Sequence, residues 1–158
     1  MTRARAFVAL GSNLGDRQRN LDEAARRIGG LEGTRVVAVA PVLETEALLP
    51  PLDPTPQPGF LNTVAEVETA LEPLPLLRAL KQLEADMGRV VTTRWAPRLI
   101  DLDLVLYGDR VLATEELTLP HPGLPARRFV LEPLLALAPG LVHPTLGTPL
   151  CELLSRVR

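Results

Sequence analysis

One cysteine, Cys151, stands in 158 residues, so no disulfide can close within the chain, and the sequence reads as one suited to a reducing compartment. Surplus positive charge is also missing: 17 basic residues face 19 acidic ones, for a formal charge of -2. That balance excludes a protein whose task is to coat nucleic acid, which needs a basic surface. No stretch approaches the roughly 20 apolar residues of a membrane span. The apolar run that ends at Gly11 is too brief for a signal segment and has no cleavage-site pattern. A cytoplasmic location without nucleic-acid or membrane partners is therefore the expectation. Lysine is nearly absent as well, Lys81 being the only one, so an anionic ligand must be met by a local cluster made mainly of arginine.

Hydrophobic residues make up 46% and charged residues 23%, an ordinary globular balance. With no internal repeat and no shift in composition, residues 1–158 are expected to form one domain. Residues 5–11 read as a buried strand ending at a glycine, followed by a turn over Ser12 to Asp16. Leu21, Ala24, Ala25 and Ile28 then recur at helical spacing up to Gly29. A second strand is predicted over 34–44, with Pro41 marking an edge or a bulge, and a proline-rich loop runs to Gly59. Residues 60–71 alternate as a half-buried strand, with Leu61, Ala65, Val67 and Leu71 inward and Asn62, Glu66 and Glu68 outward. Leu76, Leu80, Leu83 and Met87 mark a helix, 100–107 a strand, 128–137 a helix, and 149–157 a last helical stretch. The order strand, helix, strand, strand, helix, strand predicts an α+β fold, a ferredoxin-like split βαβ sandwich with a mostly antiparallel sheet and helices packed on it.

Side chains alternate along a strand, so Asp101 and Asp103 share one side while Ile100, Leu102, Leu104 and Leu106 are expected to point into the core. The two carboxylates stand roughly 6.6 Å apart and repel unless a cation lies between them. Hard oxygen donors of this kind suit magnesium, which takes one or two carboxylates plus phosphate oxygens. The same pair could equally solvate an exposed sheet face, and glycosyltransferases and polymerases carry similar pairs. Arg89, Arg94 and Arg98 lie within the dozen residues before Asp101 and offer donor forks for phosphate, although surface pairing with acids is the alternative. Trp95 can shape that loop or simply pack. His121, between two prolines, can donate to phosphate or be an ordinary loop histidine. Phe60 and Asn62 offer a ring and an amide suited to a flat heterocycle, a pairing that is often only structural. The glycine turn after Leu10 lacks a Walker lysine and reads as a tight turn with a possible ligand contact.

In chain order, Ala9 to Asp16, Phe60-Leu61-Asn62, Leu83-Glu84, Gly88-Arg89, Arg94-Trp95-Ala96-Pro97-Arg98, Asp101-Leu102-Asp103 and Leu119-Pro120-His121-Pro122 closely resemble the 6-hydroxymethyl-7,8-dihydropterin pyrophosphokinase family over roughly residues 7 to 140. The run from Arg94 to Arg98 leading into the aspartate pair is the most specific piece. The resemblance implies transfer of the pyrophosphoryl group of ATP to the pterin hydroxymethyl oxygen in tetrahydrofolate biosynthesis. It implies AMP as leaving group and two Mg2+ ions on Asp101 and Asp103. A monomer is the separate expectation, on which the resemblance has no bearing. The resemblance also implies that Asn62 reads the pterin edge with Thr45 nearby, while Phe60 and Phe129 sandwich the ring. Glu84, Arg89, Arg94, Trp95, Arg98, Thr118, His121 and Arg127 would surround ATP, with Arg98 and His121 on its phosphates. Phe60 stands where the family often has tyrosine, Ala96 glycine, Val91 arginine, Pro122 tyrosine, Lys81 glutamine, and Glu116 a basic residue. The competing readings are another metal-dependent transferase built on the same Asp-x-Asp and a ferredoxin-like binding module. The first leaves Asn62 and the two phenylalanines without a task, and the second needs a basic, aromatic sheet face rather than two aspartates.

Overall fold

The computed structural model describes residues 3–45, 59–88 and 99–157. The proline-rich 46–58 stretch, together with Arg89, Val91, Arg94, Trp95, Ala96 and Arg98, lies outside the described residues. The elements run β1 (Ala4–Ser12), α1 (Arg17–Gly29), β2 (Thr34–Val39), β3 (Leu43–Thr45), β4 (Phe60–Thr69), α2 (Pro73–Asp86), β5 (Asp101–Tyr107), β6 (Leu112–Ala113), β7 (Thr118–Leu119), a 3₁₀ turn (Leu124–Ala126), α3 (Arg128–Leu137) and α4 (Leu150–Arg156).

Local chemistry sets the ends of these elements. Asp16 caps α1 by accepting the Arg19 N–H at 3.2 Å, and Gly15 at φ 71° makes the preceding turn. Pro73 opens α2, where a missing N–H removes nothing. Gly88, at φ 94°, follows its last turn.

The main sheet has the order β2-β4-β1-β5, every neighbouring pair antiparallel, with β3 continuing the β2 side along β4. This is the predicted ferredoxin-like arrangement. The expected strand over 34–44 is divided into β2 and β3. The chain bends at Ala40 and Pro41, where the Ala40 N–H still bonds the Val64 carbonyl at 3.0 Å and Thr63 Oγ1 donates to the Ala40 carbonyl at 2.7 Å.

Both faces of the sheet are packed. On one, Ala6, Val8, Leu10, Ala65, Val67, Leu102 and Leu104 meet Leu21, Ala24 and Ile28 of α1 and Leu76 and Leu80 of α2. On the other, Phe7, Val64, Val105 and Leu106 meet Val130, Leu131 and Leu134 of α3 and Leu150 and Leu153 of α4. Two sequence expectations are corrected here. The 60–71 strand is not half-buried throughout: Val64, on its supposedly polar side, is fully buried because α3 covers that stretch. Leu106 does not share a face with Leu102 and Leu104. The pairing of β1 with β5 slips between Phe7 and Val8, which face Leu106 and Leu104, and this bulge turns Leu106 to the second core and Tyr107 back to the first. Among the described residues no helix is long and apolar enough to cross a membrane.

Candidate active site

The candidate residues gather at one end of the second face of the sheet, where Gly11 and Asn62 are buried and Asp101 and Asp103 are half-buried. Gly11 of β1 pairs with Asn62 of β4 on one side and with Asp101 of β5 on the other. Directly opposed residues in an antiparallel sheet share a face. Asn62, Gly11 and Asp101 therefore form one row across three strands, spanning about 9.5 Å at the usual strand spacing. One step further in, Val64, Ala9 and Asp103 form the next row. Val64 belongs to the second core and fixes which face this is.

The middle of the first row holds no side chain. A Cβ on Gly11 would lie 3.2 Å from Asn62 Oδ1 and 3.6 Å from the Phe60 ring. The glycine thus leaves a slot floored by backbone, with an amide at one end and a carboxylate at the other. Asn62, buried in β4, is held in place: its Nδ2 donates to Thr45 Oγ1 at 2.9 Å and to the Leu43 carbonyl at 3.5 Å. Phe60 stands on the same face two residues before Asn62. Phe129 sits in the first turn of α3, 37% exposed, with the Arg127 guanidinium 5.9 Å from its ring centre. The mouth is braced by Arg17, which bonds the Gly59 carbonyl and pairs with Glu44, both at 2.8 Å. Gly59 allows this closure, since a Cβ there would lie 2.7 Å from the Thr45 carbonyl.

Beside Asp103 an open trough of about 570 Å³ runs between α2 and the β6–β7 hairpin, lined by Leu77, Lys81, Asp103, Leu117, Thr118 and His121 among others. Arg78 and Glu116 close part of its rim with a two-pronged ion pair at 2.8 and 2.9 Å. His121 is positioned from two sides: its backbone N–H bonds the Val105 carbonyl at 3.0 Å, and its Nδ1 accepts the Gly123 N–H at 3.0 Å. That acceptor role leaves the proton of the neutral ring on Nε2. Burial lowers the His121 pKa below 6.5; the Asp103 charge opposes the shift, while Arg127 and Lys81 add to it. At neutral pH the ring is thus an uncharged N–H donor.

The structure brings Asp101, Asp103, Asn62, Thr45 and Phe60 onto one end of one sheet face, with His121 and Thr118 along the adjoining trough and Phe129 and Arg127 at the start of α3. Glu84 is placed differently from an open ligand contact. Its side chain is 2% exposed, and its carboxylate accepts the Leu102 N–H at 2.9 Å and lies 3.1 Å from Lys81 Nζ. Arg89, Arg94, Trp95 and Arg98 fall outside the described residues. Sequence reasoning marked the turn that Gly11 opens as a possible ligand contact but missed the place of Gly11 between Asn62 and Asp101, which comes from register rather than residue type. It also treated Lys81 only as a departure from a family pattern, although Lys81 and Glu84 are three apart on one helix face, a readable sign that they act together.

Asp101 and Asp103 present hard oxygen donors on one face, as magnesium requires. Among the described residues no group of three or more His, Cys, Asp or Glu could enclose a metal. Two carboxylates with the remaining positions left to water and phosphate fit magnesium, which is seldom caged by protein alone.

An α+β sandwich with two carboxylates and an anchored amide on one sheet face, and with one of those carboxylates and an imidazole N–H lining an adjoining trough, fits the class of small-molecule transferases. The fold matches a solved HPPK-DHPS structure in complex with substrates, with TM-score 0.74 and 13% identity over 98% of this chain and 45% of that one. Residues 7–139 match 7,8-dihydro-6-hydroxymethylpterin-pyrophosphokinase, and the chain belongs to that family. It is 44% identical over 96% of its length to the 2-amino-4-hydroxy-6-hydroxymethyldihydropteridine pyrophosphokinase of Pseudomonas aeruginosa, covering 90% of that protein. With the enzyme of the same name from Haemophilus influenzae it shares 40% over 88% of the chain and 84% of the relative. It is also 47% identical over 96% of its length to the folic acid synthesis protein fol1 of Schizosaccharomyces pombe, of which it spans only 20%.

Proposed function

We propose that the slot over Gly11 takes the pterin and the trough beside Asp103 takes ATP, so that the two meet above the aspartate pair. As a member of its family the chain is a pyrophosphokinase, transferring the pyrophosphoryl group of ATP to the hydroxymethyl oxygen of 6-hydroxymethyl-7,8-dihydropterin in folate biosynthesis. The observation that carries the site assignment is the row Asn62, Gly11, Asp101: an anchored amide and a metal-type carboxylate at opposite ends of a slot floored by backbone.

In this reading Asn62 presents its amide to the edge of the heterocycle, and Thr45 holds that amide in register. Phe60 and Phe129 stack on the ring. Thr118 and Arg127 line the nucleotide side together with Arg89, Arg94, Trp95 and Arg98, and Arg98 contacts phosphate. His121 donates its Nε2 hydrogen to a phosphate oxygen without adding charge. The hydroxymethyl oxygen attacks the β-phosphorus and gives up its proton to water, the bond from that phosphorus to the α-bridging oxygen breaks, and AMP leaves with that oxygen. Two magnesium ions, held by Asp101 and Asp103, would neutralise the triphosphate and favour in-line displacement. The protein's own contribution is position and fixed charge. A single-domain monomer in the cytoplasm completes the proposal.

The test is chromatographic. Protein with ATP, magnesium and 6-hydroxymethyl-7,8-dihydropterin should form AMP one-for-one with a pterin diphosphate. Asp103→Ala should lower turnover by on the order of a thousandfold or more while the fold is kept. ADP as product, or near-normal turnover in the variant, overturns the reaction or the metal role respectively.

A further inference from the structure

Lys81 departs from α2 on the first-core side of the sheet and brings its ammonium to the outer edge of β5, on the side away from β1. Its Nζ donates to the Leu102 carbonyl at 2.8 Å and lies 3.1 Å from Glu84 Oε1 and 3.7 Å from Asp103 Oδ1. Two of these three acceptors belong to the fold rather than to the site: one is strand backbone, and the other is the carboxylate of a side chain only 2% exposed. Glu84 in turn accepts the Leu102 N–H at 2.9 Å, so lysine, glutamate and one residue of strand backbone form a closed loop. The Lys81 charge is therefore anchored independently of Asp103. Whatever binds at Asp103 meets a positive charge that has reason to stay.

We infer that Lys81 is a tethered counter-charge for the metal-binding carboxylates. It weakens divalent-cation binding in the absence of nucleotide and strengthens binding of the nucleotide's polyphosphate, so that cation and nucleotide load the site together. This rests on the assignment of Asp101 and Asp103 as metal ligands. The Lys81–Asp103 pair adds little to stability, because both side chains are 44% exposed. Its effect on a second cation is larger. A single charge opposing a divalent ion at close range in a mostly aqueous dielectric changes affinity by roughly tenfold, and the same charge attracts phosphate.

Two titrations test this at low ionic strength on the intact chain: Mn2+ alone, followed by water-proton relaxation, and ATP in excess EDTA, followed by calorimetry. Lys81→Gln keeps a hydrogen-bond donor for the Leu102 carbonyl but loses the charge. It should bind Mn2+ roughly tenfold more tightly and metal-free ATP several-fold more weakly. Lys81→Arg, which keeps the charge, should stay near the wild type in both. Movement in opposite directions is the signature, because a merely loosened strand edge would weaken both ligands. Asp103→Asn is the control for the site itself. If it abolishes Mn2+ binding while Lys81→Gln moves both affinities the same way or neither, the tethered-charge role is overturned and the metal assignment stands. If Asp103→Asn leaves Mn2+ binding unchanged, the metal assignment fails and the inference falls with it.

Discussion

Gly11 shows how much of a site can depend on an atom that is absent. Its backbone conformation is not one that demands glycine; what matters is the space above it, where a Cβ would lie 3.2 Å from Asn62 Oδ1. Asn62 cannot simply swing aside, because Thr45 and the Leu43 carbonyl hold its other amide atom. Gly11→Ala should therefore displace the amide by a few tenths of an ångström and place a methyl group in the slot. Pterin affinity, read by fluorescence titration, should fall on the order of ten- to a hundredfold, while ATP binding measured by calorimetry stays unchanged. Equal loss of both ligands, or loss of neither, would remove Gly11 from the pterin slot. Sequence alone marked the turn that begins at this residue, but not its place in the row. The aspartate pair was legible because period two along a strand fixes relative direction within one segment. Gly11 matters through its pairing with Asn62 and Asp101, which stand 51 and 90 positions away, and no local pattern carries that information.

Among the elements, β5 has the least ordinary support. It forms an edge of the main sheet, with β1 on its inner side, and an uncovered edge strand offers unpaired backbone groups. Here α2 and the segment after β7 supply partners. Glu84 takes the Leu102 N–H, Lys81 gives to the Leu102 carbonyl, and the His121 N–H reaches the Val105 carbonyl. The strand that carries both aspartates is thus held by two side chains and one loop N–H where another strand would otherwise pair. Glu84→Ala leaves the Leu102 N–H without this acceptor and should lower unfolding free energy by about 1–3 kcal/mol in a denaturant titration. Hydrogen exchange at Leu102 should accelerate more than at Leu10, its counterpart on β1. Glu84→Gln, which retains an acceptor oxygen, should recover part of both effects. Uniform exchange changes across the sheet would show that Glu84 supports the core in general rather than this edge. The strand and the helix were each readable from their periodicity. The edge contacts were not, because they depend on how closely α2 lies along β5. The bulge that turns Leu106 was equally hidden, since β5 alternates regularly in sequence and the slip exists only in its pairing with β1.

Across the whole molecule the two sheet faces are covered unequally, and that inequality makes the site. The helices α1 and α2 bury the first face along its length, while the core under α3 and α4 takes in Val64 and Val105 of the second face and leaves Asp101 and Asp103 half-buried. The strand and helix order was enough to predict the ferredoxin-like arrangement. Which stretch of the second face would stay half-buried follows from where the 120–157 segment folds back. That segment is pinned in part by His143, which is 4% exposed and whose Nδ1 accepts the N–H groups of Thr145 at 3.3 Å and Leu146 at 3.1 Å. Burial lowers its pKa below 6.5, and His121 is lowered in the same direction, first by burial. A histidine whose folded pKa lies below its unfolded value holds fewer protons folded than unfolded as pH falls past the unfolded value. Its contribution to stability is complete above about pH 6.5 and is lost as pH falls through the folded pKa. Unfolding free energy should therefore decline between pH 7 and pH 5, by at most about 1.4 kcal/mol per pH unit for each histidine. His143→Asn keeps an acceptor oxygen for the same two N–H groups but cannot titrate. It should flatten the decline without destroying it, because His121 still contributes. A slope equal to that of the wild type would mean that protonation of His143 is not what weakens the fold in acid.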